Sequence, residues 1–187
     1  MPGLERYPIC CPVDRQVWRN VLRKGDCAID ATCGNGHDTL ALLRMVADES
    51  GSGFIYGFDI QSSAIESTRC LLEDSSTQTR RLVKLSLLCH SKMEEVLQKA
   101  PWLVAFNLGY LPGGGKDIIT LPGTTLPALH AASRVLAPGG LISVLVYVGH
   151  PDRTILRVQL AAESWSCCKL ERLNRPSAPL LLLLLKK

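Results

Sequence analysis

The chain lacks any long apolar run. Its longest, residues 180–185, holds six leucines, whereas a membrane-spanning helix needs roughly 20 apolar residues. No membrane segment is expected, and the leucines read as a buried strand. A C-x-x-C pair and a secretory leader are missing as well. The eight cysteines, among them the adjacent pairs Cys10-Cys11 and Cys167-Cys168, therefore point to neither a zinc ligand set nor a disulfide framework, and favour a reducing compartment inside the cell. No Arg/Ser-rich transit segment follows Met1-Pro2. The settings expected are the cytoplasm, or a chloroplast or mitochondrion for a chain whose transit peptide has been removed. A large charge excess is also absent: 21 Lys and Arg against 17 Asp and Glu leave +4, which permits a polyanionic partner without demonstrating one. No repeat or linker interrupts the 187 residues, a length for one domain.

What is present is the composition of a packed globule, 47% apolar and 20% charged, patterned as alternating strands and helices. Val17, Trp18, Val21 and Leu22 make the apolar face of an opening helix within a helical segment over residues 1–25, with Arg15, Arg19 and Arg23 on another face. Strands are expected at 27–31, 54–58, 82–88, 102–106 and 141–148, and helices at 39–46, 63–72, 93–99, 126–136 and 154–163. A closing pair of strands is expected at 166–173 and 180–185. The alternation predicts an α/β fold with a mostly parallel sheet covered on both faces. The last two strands, joined without a helix, predict an antiparallel insertion at its edge.

The segment Asp30-Ala31-Thr32-Cys33-Gly34-Asn35-Gly36-His37-Asp38 lies at the carboxyl end of the first strand, where open parallel sheets bind ligands. Gly34 and Gly36 allow close backbone approach. The third glycine of a dinucleotide G-x-G-x-x-G is missing and an acidic residue ends the strand, so a pyrophosphate, and with it a nicotinamide oxidoreductase, is disfavoured. A cationic ligand fits better. The Asp30 carboxylate and the backbone around Gly34 suit the amino-acid portion and sulfonium of S-adenosylmethionine; the plain alternative is a glycine turn that Asp30 caps. Asp59 follows the second strand, roughly 20 residues beyond Gly36, where an acidic residue meets ribose hydroxyls or else caps the next helix. Gln61 assists in either role. His90-Ser91, after the third strand, falls where an adenine edge would be met, or is a surface or capping pair. Residues 108–122 carry four glycines and two prolines and read as an active-site loop, with Lys116 and Asp117 placed to close over a flipped nucleotide. A surface loop without a ligand is the bland alternative.

Three stretches together, DATCGNGHDTL at 30–40, FNLGYLPGGGKDIITLPGTTLPAL at 106–129 and VYVGH at 146–150, resemble the bacterial and plant methyltransferases once labelled ribosomal RNA methylases. That family includes the MnmM-type transfer RNA 5-aminomethyl-2-thiouridine methyltransferases, and the resemblance runs from about Arg15 to the C-terminus. It implies a Rossmann-like class I methyltransferase fold, a seven-stranded mostly parallel sheet in a single domain over 1–187. It also implies methyl transfer from S-adenosylmethionine to the exocyclic amine of a 5-aminomethyl(-2-thio)uridine at the anticodon wobble position, leaving S-adenosylhomocysteine. The cofactor residues so implied are Asp30, Thr32, Gly34, Asn35, Gly36, His37, Asp38, Asp59, Ile60, Gln61, His90, Ser91 and Asn107.

Asn107-Leu108-Gly109-Tyr110 stands where amino-directed methyltransferases carry an Asn-Pro-Pro-Tyr-like turn, with Leu108 and Gly109 replacing both prolines. The Asn107 oxygen can accept one amine N–H, and Tyr110 stacking on the base would contribute ~1–3 kcal/mol. Asn107 serving only local backbone groups is the alternative. Leu108, Gly109, Tyr110, Lys116 and Arg153 are the implied substrate contacts. Tyr147 is either an orienting hydroxyl or a packing residue at the rim. An alkylammonium cannot attack a sulfonium, so its proton must leave first. A neutral His150, with an ordinary pKa of about 6.5, can accept it, and water is the other route. The partner implied is the transfer RNA anticodon stem-loop, its phosphates met by Arg15, Arg19 and Arg23 or by Arg153 and Arg157, faces equally readable as solvated. A second copy of the chain stays open; no metal and no membrane are expected. Other readings left open are a ribosomal RNA or small-amine methyltransferase and a non-catalytic RNA-binding protein of the same fold.

Overall fold

The computed structural model describes residues 12–73, 81–109, 122–147, 163–171 and 178–187. Seven strands form one sheet: β1 (Cys27–Asp30), β2 (Phe54–Asp59), β3 (Val83–Leu87), β4 (Leu103–Leu108), β5 (Leu141–Val146), β6 (Trp165–Leu170) and β7 (Leu180–Lys186), in the order β3-β2-β1-β4-β5-β7-β6. β1 to β5 run parallel, and β7 lies antiparallel to both β5 and β6. The helices are α1 (Pro12–Val21), α2 (His37–Val46), α3 (Ser62–Glu73) and α4 (Pro122–Val135), with a 3-10 helix at His90–Glu95. This is a Rossmann-like α/β fold. The expected antiparallel insertion is present, with β7 one place in from the edge and β6 outermost.

The pleat divides the core in two. Ile29, Phe58, Val104, Phe106, Ile142 and Val144 face α4 and the 3-10 helix, while Ala28, Ile55, Leu103, Ala105 and Leu141 face the apolar sides of α1 and α2 and the end of α3. Alternate residues of one strand thus serve opposite layers. Both faces being covered explains why the inner strands β1, β2, β4 and β5 read as continuous apolar runs, whereas the edge strands β3 and β6 carry polar, exposed residues. The six-leucine run behaves likewise until Leu185, which is 41% exposed.

Two helices differ from expectation. The helix expected at 93–99 begins earlier, at His90, and is a 3-10 turn with non-helical Lys92 inside it. The His90 ring at its start turns inward to the Ala31 carbonyl, and the helix ends at Glu95. α4 begins at Pro122 rather than at 126, because a proline opens a helix without losing an intrahelical bond. Pro127 inside it then withholds one N–H without ending the helix. The helix expected at 154–163 lies outside the described residues up to 162, as do residues 110–121 of the glycine-rich loop. Among the described residues no helix is long and apolar enough to cross a membrane, and Cys27, Cys33, Cys70, Cys89, Cys167 and Cys168 are free thiols.

Candidate active site

The sheet order reverses direction between β1 and β4, the two strands that leave the middle of the sheet toward opposite edges, and a crevice at such a switch point is where α/β sheets hold ligands. Strand parity decides which side chains reach it. Counting by twos from Ala28, Ile55 and Ala105, which face α1 to α3, places Asp30, Asp59 and Asn107 on that same face at the carboxyl ends of β1, β2 and β4. Tyr147 continues the same parity from Leu141. A Cβ added to Gly109 would stand 3.4 Å from Tyr147 Cδ2, so the ends of β4 and β5 bring Asn107, Gly109 and Tyr147 together.

Between β1 and α2 the chain makes a tight glycine turn over the end of β2. The Cys33 N–H donates to the Phe58 carbonyl at 3.0 Å and the Gly36 N–H to Cys33 at 2.8 Å. The Thr68 hydroxyl of α3 donates to the Gly34 carbonyl at 3.2 Å. Gly36 is required twice over. Its φ is +83°, and a Cβ there would stand 2.8 Å from the Thr68 Cα, a backbone atom that cannot swing away. The Asp59 carboxylate ties this turn to β2: Oδ2 accepts the Gly34 N–H at 3.0 Å, and Oδ1 accepts the Gln61 N–H at 2.9 Å. Ile60, between them, is 57% exposed, an apolar side chain held out beside a carboxylate.

Asp30 is fully buried in the same turn. Its Oδ2 accepts from the Thr39 hydroxyl at 2.6 Å and its Oδ1 from the Thr32 N–H at 3.1 Å. Burial, with the Asp38 charge adding to it, pushes the Asp30 carboxyl up to about 7, against the pull of those two hydrogen bonds. The folded state therefore holds a proton between about pH 4 and 7 that the unfolded chain has released, and stability falls as pH rises through that window. Asp30→Asn is accordingly expected to unfold in urea with a flatter dependence on pH between 5 and 8 than the wild type. Identical pH profiles would show that Asp30 does not titrate there. A cation bound beside Asp30 favours the ionised form and would release this proton.

Asp38, in the first turn of α2, joins two distant elements. Arg15 of α1 donates to Asp38 Oδ1 from Nε at 3.3 Å and from Nη2 at 3.0 Å, and Nη2 also reaches the His37 carbonyl at 3.2 Å. The other carboxylate oxygen accepts from Asn107 Nδ2 at 3.2 Å. The Asn107 N–H donates to Thr32 Oγ1 at 2.8 Å. Since a carboxylate only accepts, the Asn107 amide must show it the nitrogen, which turns Oδ1 the other way.

The structure thus gathers Asp30, Thr32, Gly34, Gly36, Asp38, Asp59, Gln61 and Asn107 around one turn. Gly109 and Tyr147 stand at the adjoining strand ends. Asp30 also performs the capping expected as its alternative, by accepting the Thr32 N–H. Asp59 accepts the N–H at the entrance to α3. His37 is exposed and meets Arg15 through its carbonyl. Neither surface position nor simple capping describes His90: the ring is buried, with Nδ1 at 3.2 Å from the Ala31 carbonyl and an edge against Phe106. Ser91 stays half-exposed, with its Oγ 3.1 Å from Cys89 Sγ. Arg15, expected as a solvated or phosphate-binding residue, instead spends its guanidinium on Asp38, whereas Arg19 and Arg23 remain exposed. Tyr110, Lys116, Asp117, His150, Arg153 and Arg157 lie outside the described residues. Sequence reasoning missed two groups, Thr39 and Thr68. A hydroxyl inside an amphipathic helix carries no mark that its partner is a distant carboxylate or carbonyl.

Residues 55–186 match the family model described as "Putative rRNA methylase". The chain is 52% identical over 183 residues to the tRNA (mnm(5)s(2)U34)-methyltransferase, chloroplastic, of Arabidopsis thaliana, covering 91% of this chain and 67% of that protein. Among solved structures, a putative rRNA-methylase from Clostridium thermocellum superposes with a TM-score of 0.86 at 31% identity, over 94% of this chain and 96% of that one. A putative methyltransferase from Streptococcus mutans, in complex with SAH, gives 0.83 at 29% identity, over 98% and 100%.

Proposed function

From a chain that belongs to the family described as putative rRNA methylase, we propose a transfer RNA methyltransferase that uses S-adenosylmethionine to methylate the exocyclic amine of 5-aminomethyl(-2-thio)uridine at the wobble position. The observation that carries the substrate is the 52% identity to the Arabidopsis enzyme across 91% of the chain. The site's chemistry agrees with the cofactor. Three carboxylates, from Asp30, Asp38 and Asp59, converge on a glycine turn, which suits a ligand bearing an ammonium and a sulfonium.

Bound there, S-adenosylmethionine supplies an electrophilic methyl group and leaves as S-adenosylhomocysteine. Asp59 keeps a second lone pair on each oxygen for the ribose hydroxyls, and Ile60 offers the adenine an apolar face. Gln61 and Ser91 are assigned to the adenine side of the same ligand, and the buried His90 supports it from within through the Ala31 carbonyl. The turn from Asp30 through Asp38, including Thr32, Gly34, Asn35, Gly36 and His37, takes the amino-acid portion. On the substrate side Asn107 Oδ1 accepts an amine N–H and aims the nitrogen lone pair. Gly109, Tyr110 and Tyr147 enclose the base, and Lys116 and Arg153 meet its phosphates; Leu108, expected beside them, is instead fully buried in the core under α4, on the opposite face of β4 from Asn107. His150 takes the amine proton, water being the alternative acceptor. Orientation of this kind supplies up to ~7–11 kcal/mol of barrier reduction, and no strong acid or base is required beyond it. One methyltransferase domain over 1–187, engaging the anticodon stem-loop and working in a reducing compartment, completes the reading, and the Arabidopsis relative favours the chloroplast.

The deciding experiment is single-turnover transfer from labelled S-adenosylmethionine to transfer RNA from cells that stop at 5-aminomethyluridine, with mass analysis of the nucleosides. A methylaminomethyluridine product is expected. Cofactor binding without that product would move the substrate to ribosomal RNA or a small amine.

A further inference from the structure

The Asn107 carboxamide has to face the right way for the role assigned to it, and nothing in β4 alone decides between its two orientations, since its oxygen and nitrogen arms are nearly isosteric. The decision is made by Asp38, whose Oδ2 can only accept and therefore draws Nδ2 to 3.2 Å. Asp38 in turn could rotate about its terminal torsion, which is broad for a carboxylate. Arg15 removes that freedom. Two of its nitrogens fall on Oδ1, and Nη2 is also fixed to the His37 carbonyl next door, so guanidinium and carboxylate are held to the first turn of α2. The Asp38 side chain is only 9% exposed and that of Arg15 29%, which shields the pair from water and salt more than a surface pair would be.

We propose that Arg15 is a positioning residue for methyl transfer: the Arg15–Asp38–Asn107 chain of hydrogen bonds sets the Asn107 oxygen toward the substrate amine and couples helix α1 to the reacting centre. This inference rests on the methyltransferase reading above. It separates Arg15 from Arg19, its neighbour on α1, and from Arg23 just beyond the helix, which make no such contact among the described residues. It also explains why an arginine is needed. A lysine supplies the charge but a single nitrogen, and cannot meet Asp38 Oδ1 twice and the His37 carbonyl at once.

The test combines kinetics with a spectroscopic readout of the Asn107 side-chain amide, assigned by its loss in Asn107→Ala. In Arg15→Met the amide resonances should shift, kcat should fall about tenfold, and the dissociation constant for S-adenosylhomocysteine should move less than about threefold. Arg15→Lys should fall between. The Arg15→Met/Asn107→Ala double variant should be no slower than Asn107→Ala alone, because residues acting through one another are not additive. Unmoved amide resonances in Arg15→Met, or additive losses in the double variant, overturn the proposal. Should Arg15→Met fail to fold, Arg15→Lys is read in the same way. A wild type that leaves transfer RNA unmethylated overturns the substrate reading, and the amide resonances then still decide whether Arg15 orients Asn107.

Discussion

Asn107→Ala is expected to slow single-turnover methyl transfer by about a hundredfold or more while the affinity for S-adenosylhomocysteine stays within a few-fold of wild type. The expectation follows from what the side chain is free to do. Its backbone N–H is spent on Thr32 and its amide nitrogen on Asp38, so the carbonyl oxygen is the group left to meet substrate. A fixed dipole aimed at the reacting nitrogen acts in the transition state, where loss of one such partner typically costs ~2.7–4 kcal/mol. Cofactor affinity is carried by the turn between β1 and α2 and by Asp59, which the substitution leaves in place. Asn107→Asp is the sharper comparison. It keeps an acceptor oxygen but sets a second carboxylate where the amide now donates to Asp38, so repulsion should swing it away and the rate should stay low. Normal turnover in Asn107→Ala would remove the amine-orienting role.

The frame of this site was legible in the sequence because the relevant signals are local. Each strand of the parallel half except the edge strand β3 is a short, mainly apolar run, and parity from Ala28, Ile55 and Ala105 carries Asp30, Asp59 and Asn107 to one face without reference to any contact. The glycine turn was equally legible, since two glycines closely following a strand leave few ways for the chain to enter a helix. What escaped depends on pairings across the chain. Arg15 and Asp38 are 23 residues apart and Asp38 and Asn107 69, and an arginine at helical spacing with two others looks like a solvated stripe until its partner is placed. The His90 ring escaped for the same reason: its carbonyl partner, on Ala31, is 59 residues away.

Asp59→Ala is expected to weaken S-adenosylhomocysteine by about a hundredfold, with a much smaller loss of fold stability. A carboxylate bridging two ribose hydroxyls makes two charge-assisted bonds, each worth ~1.5–3 kcal/mol, of which part is recovered by water in the truncated site. The same carboxylate also holds the Gly34 and Gln61 N–H groups, so truncation loosens the turn by ~1–2 kcal/mol, and the two effects must be told apart. Asp59→Asn does so in part: the amide keeps one acceptor oxygen but presents a second donor to an N–H, and should cost about tenfold in affinity. The cleaner separation uses the ligand rather than the protein. Wild type should prefer S-adenosylhomocysteine over its 2′,3′-dideoxy counterpart by the same factor that Asp59→Ala loses, whereas the variant, having no acceptor for the hydroxyls, should bind both alike. If the turn alone mattered, the variant would weaken both ligands equally and keep the preference. Equal affinity of wild type and Asp59→Ala for the intact ligand would remove the ribose assignment altogether.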